Sequence, residues 1–220
     1  MKSMIKPSLV SIAIVLVLIT LGCKQEKNGN LKSEDQMPEV NYDSLHSALA
    51  DSNLKNGGAN IFLEITNPDA LFNSNAPSYI QAGNPNLQYI SMQSAGKPGD
   101  DKSTDQDTTA KDFRSNIYLG KTVAWILKPK SRDQYKFHFQ EIDFGEGKNP
   151  GNGNQSCNAF TVKRDKPKTE GPNKGAIVTQ VDNDPSLEDC VQNYTLIFGV
   201  ENNTGETRWF TLDPWVIIRN

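Results

Sequence analysis

The chain has 220 residues, of which 36% are apolar and 16 are glycine; that is one domain of ordinary size with a modest core, plus a tail. Lys and Arg total 23 against 26 Asp and Glu, a net charge of −3, which excludes an electrostatic nucleic-acid binder. Only one long apolar run exists, which excludes a multi-span membrane protein, and 12 prolines with abundant Asn and Asp favour a loop-rich β protein over a helical bundle.

Lys2 and Lys6 precede an apolar run over residues 9–21, interrupted by Ser11 and Thr20. At about 13 residues it is shorter than the ~20 a spanning helix needs and has the length of an export-signal core. It ends Ile19-Thr20-Leu21-Gly22-Cys23, which resembles the bacterial lipobox, with Thr20 in place of the usual Leu. The resemblance implies cleavage after Gly22 and lipidation of Cys23. Lys24 stands where an Asp would retain a lipoprotein at the inner membrane, so the implied destination is the outer membrane. The expected organisation is a signal peptide over 1–22, a lipidated tether over 23–57 and a β domain over 58–220.

Residues 24–40 contain almost nothing that could pack. Residues 43–54 predict a short helix with Asp43 as N-cap, Leu45, Ala48 and Leu49 on one face, and Gly57-Gly58 as its stop. Alone it would be marginal; it serves as a linker, docks on the domain or binds a partner. Two triplets, Asp43-Ser44-Leu45 and Asp107-Thr108-Thr109, match the short O-glycosylation sequence of Bacteroidetes exported proteins.

Strands are predicted over 61–66, 87–92, 116–119 and 121–127, with a polar loop over 96–111. In residues 135–144, Tyr135, Phe137 and Phe139 point one way while Lys136, His138 and Gln140 point the other, the pattern of a half-buried antiparallel strand. Tyr194, Leu196, Phe198 and Val200 alternate likewise. The turn Asn202-Asn203-Thr204-Gly205 leads into 207–212, where Phe210 and Leu212 share a face, and Asp213-Pro214 separates this hairpin from a last strand, 215–218. Seven or eight strands with turns between them give an all-β fold, an antiparallel β-sandwich.

Cys157 and Cys190 are the only thiols besides Cys23, and in an exported chain two cysteines predict one disulfide. It closes a loop of about 34 residues and stabilises by roughly 3–4 kcal/mol in the chain-entropy estimate. The two histidines, His46 and His138, cannot supply a blue-copper site, and no G-x-S-x-G motif is present. No metal or other cofactor is expected: Asp100, Asp101, Asp105 and Asp107 are acidic enough for calcium but lack the ordered ligand spacing. Glu141 and Asp143 share a strand face, as a glycosidase pair would and as an ordinary solvated face would. Trp125 and Trp215, among Val, Ile and Ala, are expected in the core. Trp209 lies opposite Phe210 and Leu212 and is the candidate ligand-binding residue, as a stacking platform or as a cross-strand packing residue.

The strand Gly120-Lys121-Thr122-Val123-Ala124-Trp125, the aromatic alternating strand after it and the terminal Phe210-Thr211-Leu212-Asp213-Pro214-Trp215 together resemble the PixA/AidA-type inclusion-body proteins over about residues 61–218. Similar small domains occur in envelope lipoproteins of Bacteroidetes-like bacteria. The resemblance implies a small β-sandwich and supplies no catalytic residues; the lipobox and the cysteine pair depart from the inclusion-body group and from an intracellular storage role. The functional expectation is a non-enzymatic envelope lipoprotein whose sandwich binds or scaffolds a glycan or protein partner. The alternatives are a carbohydrate-binding module centred on Trp209 and a glycosidase using Glu141 or Asp143.

Overall fold

The computed structural model describes residues 42–80, 84–95, 113–129, 134–171 and 174–220. Cys23, the export signal, most of the expected tether, the acidic segment 100–107 and the side chain of His46 lie outside the described set. In chain order come helix α1 (Tyr42–Lys55), β1 (Ala59–Ile65), helix α2 (Pro68–Asn73), β2 (Tyr79–Ile80), β3 (Ile90–Ala95), β4 (Arg114–Tyr118) and β5 (Thr122–Pro129). They are followed by β6 (Tyr135–Asn149), β7 (Gln155–Cys157), β8 (Arg164–Asp165), β9 (Ile177–Gln180), β10 (Val191–Asn202), β11 (Thr207–Leu212) and β12 (Trp215–Arg219). The fold is all-β and sandwich-like. Beyond the expected strands it has short ones, such as β2, β7 and β8, that carry no periodic signal in so few residues.

The first sheet has the order β3-β1-β5-β9; the second runs β2-β11-β10-β12-β4, with β6 along the other side of β10 and β7 and β8 on β6. Both sheets are mixed rather than purely antiparallel, because β1–β5, β2–β11 and β4–β12 run parallel. Parallel neighbours need long crossovers, and nothing in local alternation distinguishes them from hairpin partners. The expected strand at 87–92 begins three residues later. Asn84 accepts a hydrogen bond from the Asn86 amide (2.9 Å) and Pro85 follows it, so residues 85–89 wind into a 3-10 turn before β3 starts.

The sheets bury a shared core of Ile61, Leu63 and Ile65 from β1, Trp125 from β5, Ile142 and Phe144 from β6 and Leu196 and Phe198 from β10. Trp125 is fully buried, as expected, against the rings of Phe144, Phe160 and Tyr194. The other face of the first sheet is also covered. Leu49 and Ala50 of α1 pack on Ala124 and Ile126 of β5, which is why residues 123–127 are apolar at every position. Asn53 Nδ2 donates to the Ala59 carbonyl (2.7 Å) and to Asn60 Oδ1 (2.9 Å), and Asn60 Nδ2 donates to the Ala50 carbonyl (2.9 Å). Gly58 is required at this joint: a Cβ there would lie 2.1 Å from Asn53 Oδ1 and 2.5 Å from the Thr122 carbonyl oxygen. The predicted helix is therefore docked on the domain through residues 49–60.

Cys157 and Cys190 form the predicted disulfide, with Cα atoms 6.1 Å apart. It ties β7 to the residue before β10, directly over Gly147, where a Cβ would come within 2.8 Å of Cys190 Sγ.

Candidate binding surface

The outer face of the second sheet is set by the parity of β10. Gln192, Tyr194, Leu196, Phe198 and Val200 point inward and are fully buried, so Asn193, Thr195, Ile197, Gly199 and Glu201 point outward. On β6 the inward set changes from Phe139 to Ile142 and Phe144. A bulge at Gln140, between the Ile197–Glu141 and Phe198–Phe139 pairs, accommodates that shift. It places His138, Glu141 and Asp143 together on the outer face.

Gly199 pairs with Trp209 on one side and His138 on the other. With no side chain between them, the two rings lean over the glycine and meet edge to face, centroids 4.9 Å apart at 84°. A Cβ on Gly199 would lie 2.6 Å from His138 Nε2 and 3.0 Å from Trp209 Cζ3. Partial burial lowers the His138 pKa below its ordinary value, against a smaller upward pull from Glu201. Trp209 leaves the core face, as alternation from Phe210 and Leu212 predicts, and remains 40% exposed. Cross-strand packing and an open ring face thus coexist at this residue.

Next along β10, Ile197 pairs with Glu141 and Thr211, and Thr211 pairs with Tyr79 of β2. Asp213 accepts hydrogen bonds from the Tyr79 hydroxyl and from Thr195 Oγ1 (2.7 Å). Its carboxylate raises the Tyr79 pKa, chiefly through that hydrogen bond. Glu141 and Asp143 do come together, but around a cation: Arg164 Nε donates to Asp143 (2.9 Å) and its guanidinium lies 3.9 Å from Glu141.

Trp215 corrects the sequence expectation. It is 37% exposed, not in the core, because Val216 and Ile218 take the inward positions of β12. Residues 215–218 are apolar throughout, so alternation could not choose between the two parities. Trp215 pairs with Asn193 on one side and Arg114 on the other, and with Arg114, Glu146, Lys148, Pro150 and Val191 it lines a groove of about 350 Å³. Sequence reasoning missed this groove and Tyr79, since β2 and β4 reach the face only through parallel pairings. Among the described residues no three His, Cys, Asp or Glu side chains gather as a metal site requires.

No family model and no curated protein matches the chain. Two solved structures are weakly similar. The PixA inclusion body protein from Burkholderia cenocepacia is 11% identical, with 73% of this chain and 94% of that one covered and a TM-score of 0.35. A nucleoside hydrolase-related hypothetical protein from Saccharophagus degradans, associated with carbohydrate metabolism, is 8% identical with a TM-score of 0.30; the match covers 52% of this chain and 24% of that one, so this chain spans about a quarter of its length. PixA belongs to the group that the 120–125 and 210–215 motifs resemble; at these TM-scores neither likeness carries function across.

Proposed function

We propose that the protein is a non-enzymatic binding module of the bacterial envelope, held at the outer membrane by a lipid on Cys23, which captures its partner on the outer face of the second sheet. One observation carries this reading. Of the four exposed large apolar side chains among the described residues, Tyr79, Trp209, Trp215 and Val162, the three aromatic ones share this single face. Clustered exposed aromatics mark contact surfaces.

Of the two partner classes, a glycan is favoured by what lies between the rings. Between them lie the hydroxyls of Thr195 and Thr211 and the carboxylates of Asp213 and Glu141, which keep acceptor capacity beyond their contacts with Tyr79, Thr195 and Arg164 and so can complement sugar hydroxyls, while Trp209 offers a flat apolar ring for stacking. The glycosidase alternative is weakened by Arg164, which engages both carboxylates it would use.

A glycan array probed with the detergent-solubilised full chain tests the reading. Trp209→Ala should abolish the signal while leaving the fold intact; a signal unchanged by that substitution overturns the assignment of this face. For the anchor, Cys23→Ser should move the protein from the detergent phase to the aqueous phase, and retention in detergent would refute lipidation.

A further inference from the structure

We propose that the groove beneath Trp215 holds an acidic sugar, so that the ligand of this face is a chain of uronic-acid type running from Trp209 to Trp215. The proposal rests on the reading of the face as a glycan surface and adds its chemical class. Trp209 pairs with Gly199 and Trp215 with Asn193, six positions apart on one strand, or about 20 Å at ~3.4 Å per residue. That length accommodates several sugar rings laid along β10.

The charges on this face are distributed unevenly. Around Trp209 the cations are engaged: Lys136 with Glu201 at 3.3 Å and Arg164 with Asp143 and Glu141. Beyond the groove, Arg219 is held by Asp189 and by Asn116 Oδ1. The side chains of Arg114 and Lys148, which line the groove with Trp215, make no hydrogen bond or ion pair among the described residues. In a chain of net charge −3, an aromatic wall with two uncommitted cations selects for an anionic group beside an apolar ring face. A guanidinium binds a carboxylate through two parallel N–H donors, and Trp215 supplies the surface on which the pyranose ring lies. Glu146, on the same rim, opposes a compact dianion such as phosphate while accepting hydrogen bonds from the hydroxyls that flank a sugar carboxylate.

Titration calorimetry on the full chain in detergent tests this with hexamers of galacturonate, mannuronate and hyaluronan against neutral hexamers of glucose and mannose. At least one acidic hexamer should bind about tenfold or more tighter than any neutral one, the increment expected of a charge-assisted bidentate contact, and added salt should reduce the advantage. The Arg114→Gln/Lys148→Gln variant should lose that preference and keep the residual affinity for neutral chains, whereas Trp209→Ala should lose both. Neutral and acidic hexamers binding equally, or a preference that survives the double substitution, overturns the groove assignment and leaves the Trp209 surface standing. Inorganic phosphate displacing the acidic hexamer at equal concentration identifies an anion site and also overturns it. Failure of every hexamer overturns both readings.

Discussion

The sheet built on β1 and β5 packs one face on the second sheet and the centre of the other on α1, whereas the sheet built on β6 and β10 packs only one. The difference is written into the strands. In β5, Val123 and Trp125 enter the sandwich core and Ala124 and Ile126 meet the helix, so none of these four positions is left for water. In β10, Gln192, Tyr194, Leu196, Phe198 and Val200 are fully buried, while Asn193, Thr195, Ile197 and Glu201 on the outer face are half-buried. On the reading proposed above, recognition falls to the second sheet, the more open of the two. The three exposed aromatics lie there.

Substitutions can break or sharpen that contrast. The largest effect should come where the sheets meet. Trp125→Ala removes a fully buried ring packed on three aromatic neighbours and should cost about 3–5 kcal/mol in urea unfolding; a loss under about 1 kcal/mol would mean that the sheets are not packed through this residue. Next is the disulfide at the edge of the open sheet. Replacing Cys157 and Cys190 together by Ser should lower stability by up to about 3–4 kcal/mol, and free thiols found by alkylation of oxidised protein would contradict the pairing.

The covered face of the first sheet should respond less. Asn53→Ala leaves the Ala59 carbonyl and Asn60 Oδ1 without a donor and should cost about 1–3 kcal/mol, with faster amide exchange in β1 as the helix loosens. An unchanged exchange pattern would show that α1 adds nothing to that face. The smallest effect belongs to the open face: Trp209→Ala should change stability by about 1 kcal/mol or less, since the ring is 40% exposed and only its contact over Gly199 is lost. A cost of about 3–5 kcal/mol would make Trp209 a packing residue and remove the contrast on which the functional reading rests.

Compact β-rich runs ended by proline were enough to place β1 and β5, and period-two alternation, turn residues and cysteine count to place β6, β10 and β11, the hairpin at 202–205, the Cys157–Cys190 pair and the outward direction of Trp209. These are local properties: side-chain parity and turn chemistry act over a few residues and need no knowledge of what packs above. Tertiary structure alone decided the rest. The parity of β12, and with it the exposure of Trp215, depends on which side of a uniformly apolar run meets the core. Arg114 and Tyr79 join the face through parallel strands distant in sequence, and Gly199 acquires its meaning only when His138 and Trp209 arrive from two neighbouring strands to close over it. Parity is carried by one strand and is written in its residues; a surface is assembled from six strands, and their order is set by packing energy that no single segment contains.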